Sequence, residues 1–352
     1  MHVLITGGGS AGHVTPALAV ASELKARGCR LSYIGSNSGL EERLVAGSEM
    51  DYHGIAAGKL RRYLSLENLR DAGRVLLGIW QSWRLLGRLR PDVIFSKGGF
   101  VAFPVVFAGW LRGVPVVAHE SDFSPGLANR LSQPFLRLLC VSFAETAVGV
   151  PGATHTGSPV RQALLKGDAA AGRQRLGFGT EKPVVLVTGG SLGAQDLNRA
   201  VADALPALLT RWQVVHVCGA AEDLPEPQPG YVPLSYVDEG WGDILAAADM
   251  VVSRAGANAL FELLALRKLH LLVPLPATAS RGDQIENAAF ARAHGYSDVL
   301  RNELLGGSAL SDALEALWAN REERLEALEQ FDVPPASLRI SDLIQDAAAA
   351  DS

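Results

Sequence analysis

The segment HVLITGGGSAGH, residues 2–13, places a short apolar run directly before a glycine-rich loop. A helical pattern follows at 15–27, which makes a strand–loop–helix unit of the kind that opens a Rossmann-like domain. A second such unit lies at 184–208, where VVLVT precedes GGSLGA and an amphipathic stretch. Because short apolar runs alternate with helical patterns along the chain, we expect an α/β fold with two Rossmann-like domains separated by a cleft.

The apolar runs are divided into two series. They predict strands at 2–6, 31–34, 92–96, 114–118 and 138–142, then at 183–188, 213–218, 250–253 and 270–273. The polar, Ala/Gly-rich stretch 166–179 lies between the series and indicates a boundary near residue 160. We expect domains at 1–160 and 161–335, with a C-terminal helix at 336–352 that rejoins the first. The run 100–111, including Trp110, is predicted as core, and His216 and Cys218 as packed strand residues.

The composition excludes several classes of protein. The 352 residues are 48% hydrophobic and 20% charged, which suits two packed domains, and a net charge of −5 gives no overall attraction to nucleic acid. Three cysteines without metal-ligand spacing argue against a zinc site or disulfide framework and favour a reducing cytosol. The first residues have neither a basic n-region nor an apolar stretch long enough for export, so we expect no export signal. The longest apolar run falls short of the ~18–20 residues that span a bilayer.

The glycine loops indicate anion binding at helix starts. Gly7, Gly9 and Gly12 match the dinucleotide fingerprint, but strand two ends in GSN at 35–37, without the acidic residue that binds the ribose of NAD. An NAD-dependent oxidoreductase is an alternative that rests on this loop alone. Neither loop contains Gly-Lys-Ser/Thr, which disfavours ATP hydrolysis. A third loop, SRAGAN at 253–258, precedes Glu262, a carboxylate placed to bind a ribose diol.

Seven motifs in chain order closely resemble the MurG family of bacterial GT-B glycosyltransferases. They are GGGSAGH (7–13), SKGGF (96–100), HESD (119–122) with PGLAN (125–129), GSPVR (157–161), GGSLGA (189–194), SRAGANALFE (253–262) and RGDQ (281–284). The resemblance runs nearly end to end. It implies inverting transfer of N-acetylglucosamine from UDP-N-acetylglucosamine to the C4 hydroxyl of the muramoyl residue of lipid I, giving lipid II. It thereby implies a role in peptidoglycan synthesis, cell-wall biogenesis, cell shape and cell division.

The resemblance places the sugar nucleotide in the C-terminal domain. The implied binding residues are Arg161, Gly190, Ser191, Leu192, Gly193, Val237, Arg254, Gly256, Ala257, Asn258, Glu262, Asp283 and Gln284. The loop 190–193 and Arg161 would hold the diphosphate, the backbone of Val237 the uracil, and Glu262 the ribose. Asp283 and Gln284 would contact the sugar. The family often has two glutamines at the last positions and Asn in place of Asp122, so individual sugar contacts stay open.

The acceptor side is expected in the N-terminal domain. The implied residues are Ser10, Ala11, Gly12, Thr15, Lys97, Gly98, Gly99, Phe100 and Asp122. His13 is the preferred general base because imidazole ordinarily titrates near pH 6.5. The alternatives are a capping or phosphate-positioning His13, with Glu120 as the other candidate base. The sequence has no Asp-x-Asp pair, so no metal cofactor is required. The helix dipole and Arg161 would carry the leaving-group charge, with free Mg²⁺ assisting.

The stretch 59–90 has the composition of a membrane-contact region. It holds eight basic and two acidic residues. Its membrane patch would comprise Leu76, Ile79, Trp80, Trp83, Arg84 and Arg88. The alternative is a buried helix with a solvated basic face. The polyprenyl-linked acceptor favours membrane contact, and the protein is expected to be peripheral on the cytoplasmic face of the cell inner membrane, in a cell-wall synthesis complex.

Two further functions stay open from the sequence. One is a UDP-sugar transferase that uses a soluble or glycolipid acceptor. The other is a non-catalytic sugar-nucleotide-binding subunit of a membrane assembly, which would bind UDP without turnover.

Overall fold

The structure, a computed structural model, describes residues 1–37, 39–58, 66–190, 194–219, 224–237 and 239–350. The chain divides into two compact units. The first unit is Met1–Val160 together with Pro334–Ser352, and the second is Arg161–Val333.

The first unit is built on a parallel sheet. Its described residues form the strands β1 (His2–Thr6), β2 (Arg30–Ser36), β3 (Asp51–Ile55), β4 (Val93–Ser96), β5 (Val116–Glu120), β6 (Leu138–Val141) and β7 (Ala153–His155). They are arranged in the order β3-β2-β1-β4-β5-β6-β7. The strand order therefore reverses between β1 and β4, and the loops after these two strands meet at one edge of the sheet, where ligands bind in such folds.

Helices connect the strands of this unit. They are α1 (Ala11–Ala26), α2 (Leu40–Val45), α3 (Leu66–Leu89), α4 (Ala102–Leu111), α5 (Leu127–Ser132) and α6 (Ala144–Gly149). Val3 and Ile5 of β1 pack with Val14 of α1 and Phe95 of β4 in a fully buried core. Each such side chain contributes about 1.5–3 kcal/mol on burial, so this core fixes the strand ends that carry the first glycine loop.

The second unit is also a parallel sheet connected by helices. Its described residues form β8 (Val184–Thr188), β9 (Gln213–Val217), β10 (Tyr231–Leu234), β11 (Met250–Ser253), β12 (Leu269–Leu272) and β13 (Asp298–Val299), in the parallel order β10-β9-β8-β11-β12-β13. Its helices are α7 (Ala169–Leu176), α8 (Gln195–Arg211), α9 (Trp241–Ala247), α10 (Ala257–Ala265), α11 (Asp283–Ala293), α12 (Gly307–Ala319) and α13 (Arg321–Glu329). The second glycine loop follows β8, a central strand.

The last helix, α14 (Ala336–Ala349), belongs to the first unit. Its residues Ile340 and Ile344 are buried in the same core as α1. At the end of α1, the Arg27 guanidinium donates to Asp342 at 2.6 Å and to Gln345 at 2.8 Å. The chain after the second unit thus completes the first one.

The two Rossmann-like sheets confirm the fold predicted from the sequence, but four strands were missed. These are β3, β7, β10 and β13, which are the edge strands of the two sheets. Most of their residues are only partly buried, and β13 has two residues. An edge strand lacks neighbours on one side, and β3, β7 and β13 accordingly carry no continuous apolar run. The run YVPL of β10 contains a proline, which argues against a strand in the sequence.

The prediction that the whole run 100–111 is core is wrong at its end. Most of α4 is buried, but the side chains of Trp110 and Leu111 are 50% and 52% exposed. Within the described part of the chain, no helix is both long and apolar enough to span a membrane. Cys29, Cys140 and Cys218 are free thiols.

Candidate functional site

Two glycine segments contact each other in the first unit. The N–H of Gly8 donates to the carbonyl of Gly98 at 3.2 Å. Gly99 has a φ of +84°, and a Cβ there would lie 1.9 Å from the Gly8 carbonyl oxygen. Gly9 has a φ of +90°, and a Cβ would lie 2.5 Å from the Phe100 ring. The loops after β1 and β4 therefore approach backbone to backbone, which requires glycine on both sides.

Ser10 and His13 lie where the first loop becomes α1. Ser10 is the N-cap residue of that helix, Ala11 begins it, and the Ser10 hydroxyl lies 2.8 Å from Nδ1 of His13. Gly12 is exposed, whereas His13 and Thr15 are partly exposed. If Nδ1 carries the proton and donates to Ser10, Nε2 keeps the lone pair that a general base needs.

Glu120, the other candidate base, is held by three donors. One carboxylate oxygen accepts the N–H of Asp122 at 3.0 Å, and the other accepts the N–H of Gly126 at 2.8 Å and the amide of Asn129 at 2.9 Å. The side chain is buried. This carboxylate organises the loop between β5 and α5, and its lone pairs already accept hydrogen bonds from that loop.

Lys97 is a buried cation beneath the glycine segments. Its ammonium donates to the Ser121 hydroxyl at 2.5 Å, and burial lowers the pKa of Lys97 to about 8 against the opposing effect of Glu120 and Asp122. These contacts, with those of Phe100, bring the predicted acceptor-side residues together around the first glycine loop. They place a positive charge behind that loop.

The second unit presents the other glycine loop at the start of α8. Gly190 has a φ of +84°, and its N–H donates to the Thr188 hydroxyl at 3.3 Å. Helix α8 begins at Gln195, so its first N–H groups follow the loop directly. The predicted ligands Ser191, Leu192 and Gly193 lie outside the described residues.

Arg161 and Glu262 form an ion pair in this unit. The guanidinium donates from Nε and from a terminal nitrogen to the same oxygen, Oε1 of Glu262, at 3.3 and 3.2 Å. Burial raises the pKa of Glu262, and Arg161 opposes that rise. In the part of the chain that the structure describes, Oε2 accepts no hydrogen bond, so one carboxylate oxygen is left for a ligand.

Arg254 is used mainly within the fold. Its guanidinium donates to the Val273 carbonyl at 3.1 Å and to the Asn302 side chain at 2.6 Å. Its Nε is buried and has no partner among the described residues. Burial lowers the pKa of Arg254, and Asp196 opposes this effect. The side chain therefore supports the loop that ends at Gly256, the N-cap residue of α10, with Ala257 and Asn258 in its first turn.

The remaining predicted ligands of the sugar nucleotide lie shortly after β10 and at the start of α11. Val237 lines a pocket of about 340 Å³ together with Arg175, Leu234, Tyr236, Glu239 and Ile244. Asp283 begins α11 and pairs with Arg281 at 3.5 Å, while the Gln284 side-chain carbonyl accepts the N–H of Leu275 at 3.0 Å. Among the residues described, no group of three or more His, Cys, Asp or Glu side chains is placed to hold a metal ion.

Helix α3 exposes the apolar side chains of the predicted membrane patch. Leu76 is 69% exposed, Trp80 and Trp83 are about half exposed, and Ile79 is partly buried. The Arg84 guanidinium lies 4.9 Å from the Trp80 ring centre, and Arg88 is exposed. The alternative of a buried helix with a solvated basic face is therefore wrong.

Sequence reasoning missed two features of this unit. Trp110 and Leu111 extend the exposed apolar surface onto α4, which packs along α3 and whose C-cap residue Arg112 lies 4.1 Å over the Trp83 ring. We call the exposed set Leu76, Leu77, Trp80, Trp83, Trp110 and Leu111 the Trp/Leu patch.

The second missed feature is Glu41, which contacts the first glycine loop. Nothing in the local sequence distinguishes it from Glu42.

Two family models match the chain. The glycosyltransferase family 28 N-terminal domain matches residues 3–139 and the C-terminal domain of that family matches 184–345. A relative from Lachnospira eligens is 47% identical over 348 residues, covering 98% of each chain. One from Legionella pneumophila (strain Lens) is 43% identical over 356 residues, covering 98% of this chain and 97% of its own. Both are named UDP-N-acetylglucosamine--N-acetylmuramyl-(pentapeptide) pyrophosphoryl-undecaprenol N-acetylglucosamine transferase.

The fold of the chain also matches solved structures. The crystal structure of Acinetobacter baumannii MurG matches with a TM-score of 0.74 and 26% identity, covering 98% of this chain and 99% of its own. A UDP-GlcNAc 2-epimerase from Neisseria meningitidis shares the fold alone, at a TM-score of 0.69 and 13% identity. The GT-B class predicted from the sequence is confirmed, and the chain belongs to glycosyltransferase family 28.

Proposed function

We propose that this chain transfers N-acetylglucosamine from UDP-N-acetylglucosamine to the C4 hydroxyl of the muramoyl residue of lipid I, giving lipid II for peptidoglycan synthesis. One observation carries the proposal: relatives named for this transfer are 43–47% identical over nearly the whole length of both chains. The glycine loop 189–194, Arg161 and Glu262 are the residues expected to bind the donor.

The donor binds in the second unit. N–H groups at the start of α8 and the Arg161 guanidinium attract the diphosphate, and a helix N-terminus favours such an anion by about 0.3–2 kcal/mol. Glu262 binds the ribose hydroxyls through Oε2 while Oε1 keeps Arg161 in place. Val237 contacts the uracil, and Asp283 with Gln284 contact the sugar.

His13 is the general base in this proposal. As the acceptor oxygen bonds to C1 of N-acetylglucosamine, Nε2 takes the hydroxyl proton and Ser10 stabilises the imidazolium through Nδ1–H. The bond from C1 to the phosphate oxygen breaks and UDP leaves with the electron pair, so the anomeric centre inverts. Glu120 is a positioning residue, because its carboxylate is occupied by the loop after β5.

The leaving diphosphate is stabilised by the protein's own groups. The helix dipole of α8 and Arg161 supply the charge, and no resident metal is needed. Free Mg²⁺ in solution adds to this stabilisation, so we expect chelation to slow the transfer without abolishing it.

The Trp/Leu patch brings the enzyme to its acceptor. Exposed tryptophans beside Arg84 and Arg88 have the chemistry of an interface with anionic lipid, where each basic residue contributes about 1 kcal/mol. The protein is thus peripheral on the cytoplasmic face of the membrane, where a polyprenyl-linked acceptor and other cell-wall synthesis proteins lie.

Parallel reactions with two acceptors test the proposal. The purified chain is incubated with UDP-N-acetylglucosamine and either a short-chain lipid I analogue or the same muramoyl peptide without diphosphate and lipid. We expect the lipid-linked acceptor to be glycosylated far faster. Preference for the water-soluble acceptor would contradict the assignment of lipid I, and UDP binding without any product would indicate a non-catalytic binding protein.

A further inference from the structure

Glu41 buries a carboxylate under the first glycine loop. The side chain is fully buried in the first turn of α2. Its Oε1 accepts the N–H of Gly9 at 2.5 Å, and its Oε2 accepts the Ser36 hydroxyl at 3.1 Å. A Cβ on Gly8 would lie 2.0 Å from Oε1, so the loop closes directly over the carboxylate.

Among the residues that the structure describes, this carboxylate has no cationic partner, since no Lys, Arg or His lies within ion-pair distance of Glu41. Burying a carboxylate without a nearby cation is unfavourable, so the hydrogen bonds that offset this cost hold their donors firmly. A backbone N–H donating to a charged acceptor makes one of the stronger hydrogen bonds in proteins.

Two stacked tyrosines complete the arrangement. The Tyr33 hydroxyl donates to the Gly7 carbonyl at 2.8 Å, and the Tyr52 hydroxyl donates to the Ser36 carbonyl at 2.6 Å. Burial raises the pKa of both hydroxyls, and the Glu41 charge raises them further. The ring centres are 6.0 Å apart. One hydrogen-bonded group thus fixes the loop at Gly7 and at Gly9.

We infer that Glu41 is a positioning residue for the transfer, because its carboxylate anchors Gly9, the residue before Ser10, and so fixes the Ser10–His13 pair against the acceptor. This inference rests on the proposed function. A loop with three glycines ahead of the helix has many accessible conformations. The anchor selects one of them before the acceptor binds, and small displacements of a catalytic group reduce rate steeply.

Substitutions at Glu41 separate this role from simple stability. Glu41→Ala removes the anchor, and we expect kcat to fall about 10–100-fold, the range of a charge-assisted hydrogen bond. Glu41→Gln keeps one oxygen for Gly9, while the Ser36 hydroxyl rotates to accept from the new amide, so it should recover most of that loss. The control is Glu42→Ala, an exposed neighbour on the same helix, which should keep kcat within about twofold.

Steady-state kinetics on the full chain, with UDP binding by calorimetry and melting by circular dichroism, give the readout. The Kd for UDP should stay within about twofold in every variant, because the donor loops belong to the other unit. If Glu41→Ala does not fold, Glu41→Asp replaces it, since that change keeps the charge but withdraws it from Gly9, and kcat should again fall.

Two results would overturn the inference. One is a folded Glu41→Ala or Glu41→Asp protein with wild-type kcat, and the other is a Gln variant as slow as the Ala variant. A wild-type chain that transfers no sugar to lipid I would instead refute the proposed function. The two failures are therefore distinguishable.

Discussion

The Ser10 hydroxyl lies 2.8 Å from Nδ1 of His13, and we propose that the other ring nitrogen, Nε2, takes the proton of the acceptor. In the proposed mechanism Nδ1–H donates to Ser10, and the hydroxyl stabilises the charge that forms on the ring. The residue types of this pair are visible in the sequence. Their contact is not, because it depends on where the helix begins after the glycines.

Replacing His13 tests the base directly. We expect His13→Ala to lower kcat about 10²–10⁴-fold with little change in the KM for UDP-N-acetylglucosamine, because only the proton acceptor is lost. Ser10→Ala should have a smaller effect in the same direction. His294→Ala, an exposed histidine of the other unit, is the control. Unchanged kcat in His13→Ala would assign the proton transfer to another group.

Glu262 should control donor binding. We expect Glu262→Ala to raise the donor KM about 10–100-fold, because both the ribose contact and the hold on Arg161 are lost. Arg161→Ala should raise the donor KM by a smaller factor in the Glu262→Ala variant than in the wild type, since the two side chains act as a pair. The measurement is a double-mutant cycle on the donor KM, with Glu329→Ala as an exposed control. Fully additive effects would show that the pair does not cooperate in binding.

At the scale of elements, α3 shows what a pattern establishes and what it leaves open. The basic, Trp- and Leu-rich composition of 59–90 predicted a membrane patch. Whether its tryptophans are buried or exposed depends on which side of α3 is covered by α4. The two sheets show the same limit. Central strands are buried on both faces and are visible as apolar runs, whereas three of the edge strands lack such a run and the fourth, β10, has a proline within it.

Membrane binding should depend on the Trp/Leu patch. We expect the double variant Trp80→Ser with Trp83→Ser to sediment with anionic phospholipid vesicles at least tenfold more weakly than the wild type, because two exposed aromatic anchors are lost. Raised salt should weaken wild-type binding as well. Val148→Ser is the control, since that side chain is 90% exposed on α6 of the same unit. Equal sedimentation of all three proteins would place the lipid contact elsewhere.

Across the whole molecule, the two units repeat one arrangement, a glycine loop between a central strand and a helix. The repeat, its glycines and the family motifs were all predictable from the sequence. Contacts between distant residues were not. Glu41 to Gly9 and Arg27 to Asp342 pair residues 32 and 315 positions apart, and no local pattern identifies such partners.

Buried histidines should make the fold sensitive to acid. Burial lowers the pKa of His216 and of His270 to about 4, and that of His119 well below its ordinary value. The unfolded chain takes up these protons near pH 6.5 whereas the folded chain does not, so stability is complete above pH 6.5 and is lost as the pH falls towards 4. Each histidine changes the folding equilibrium by up to about tenfold per pH unit.

Melting curves between pH 4 and 8 measure this effect. We expect the Tm to fall below pH 6.5, and His216→Gln to give a shallower fall because one titrating group is removed. A Tm that is flat from pH 7 to pH 4.5 would contradict the burial of these neutral rings.

The most direct test of the proposed transfer measures UDP and the glycolipid product in one reaction with the lipid I analogue. We predict one UDP released for each disaccharide formed, with the new linkage in the β configuration that inversion of the α-linked donor requires, established by nuclear magnetic resonance. Release of UDP without matching product, or a product with retained α configuration, would contradict the single displacement that His13 and the two glycine loops are proposed to support.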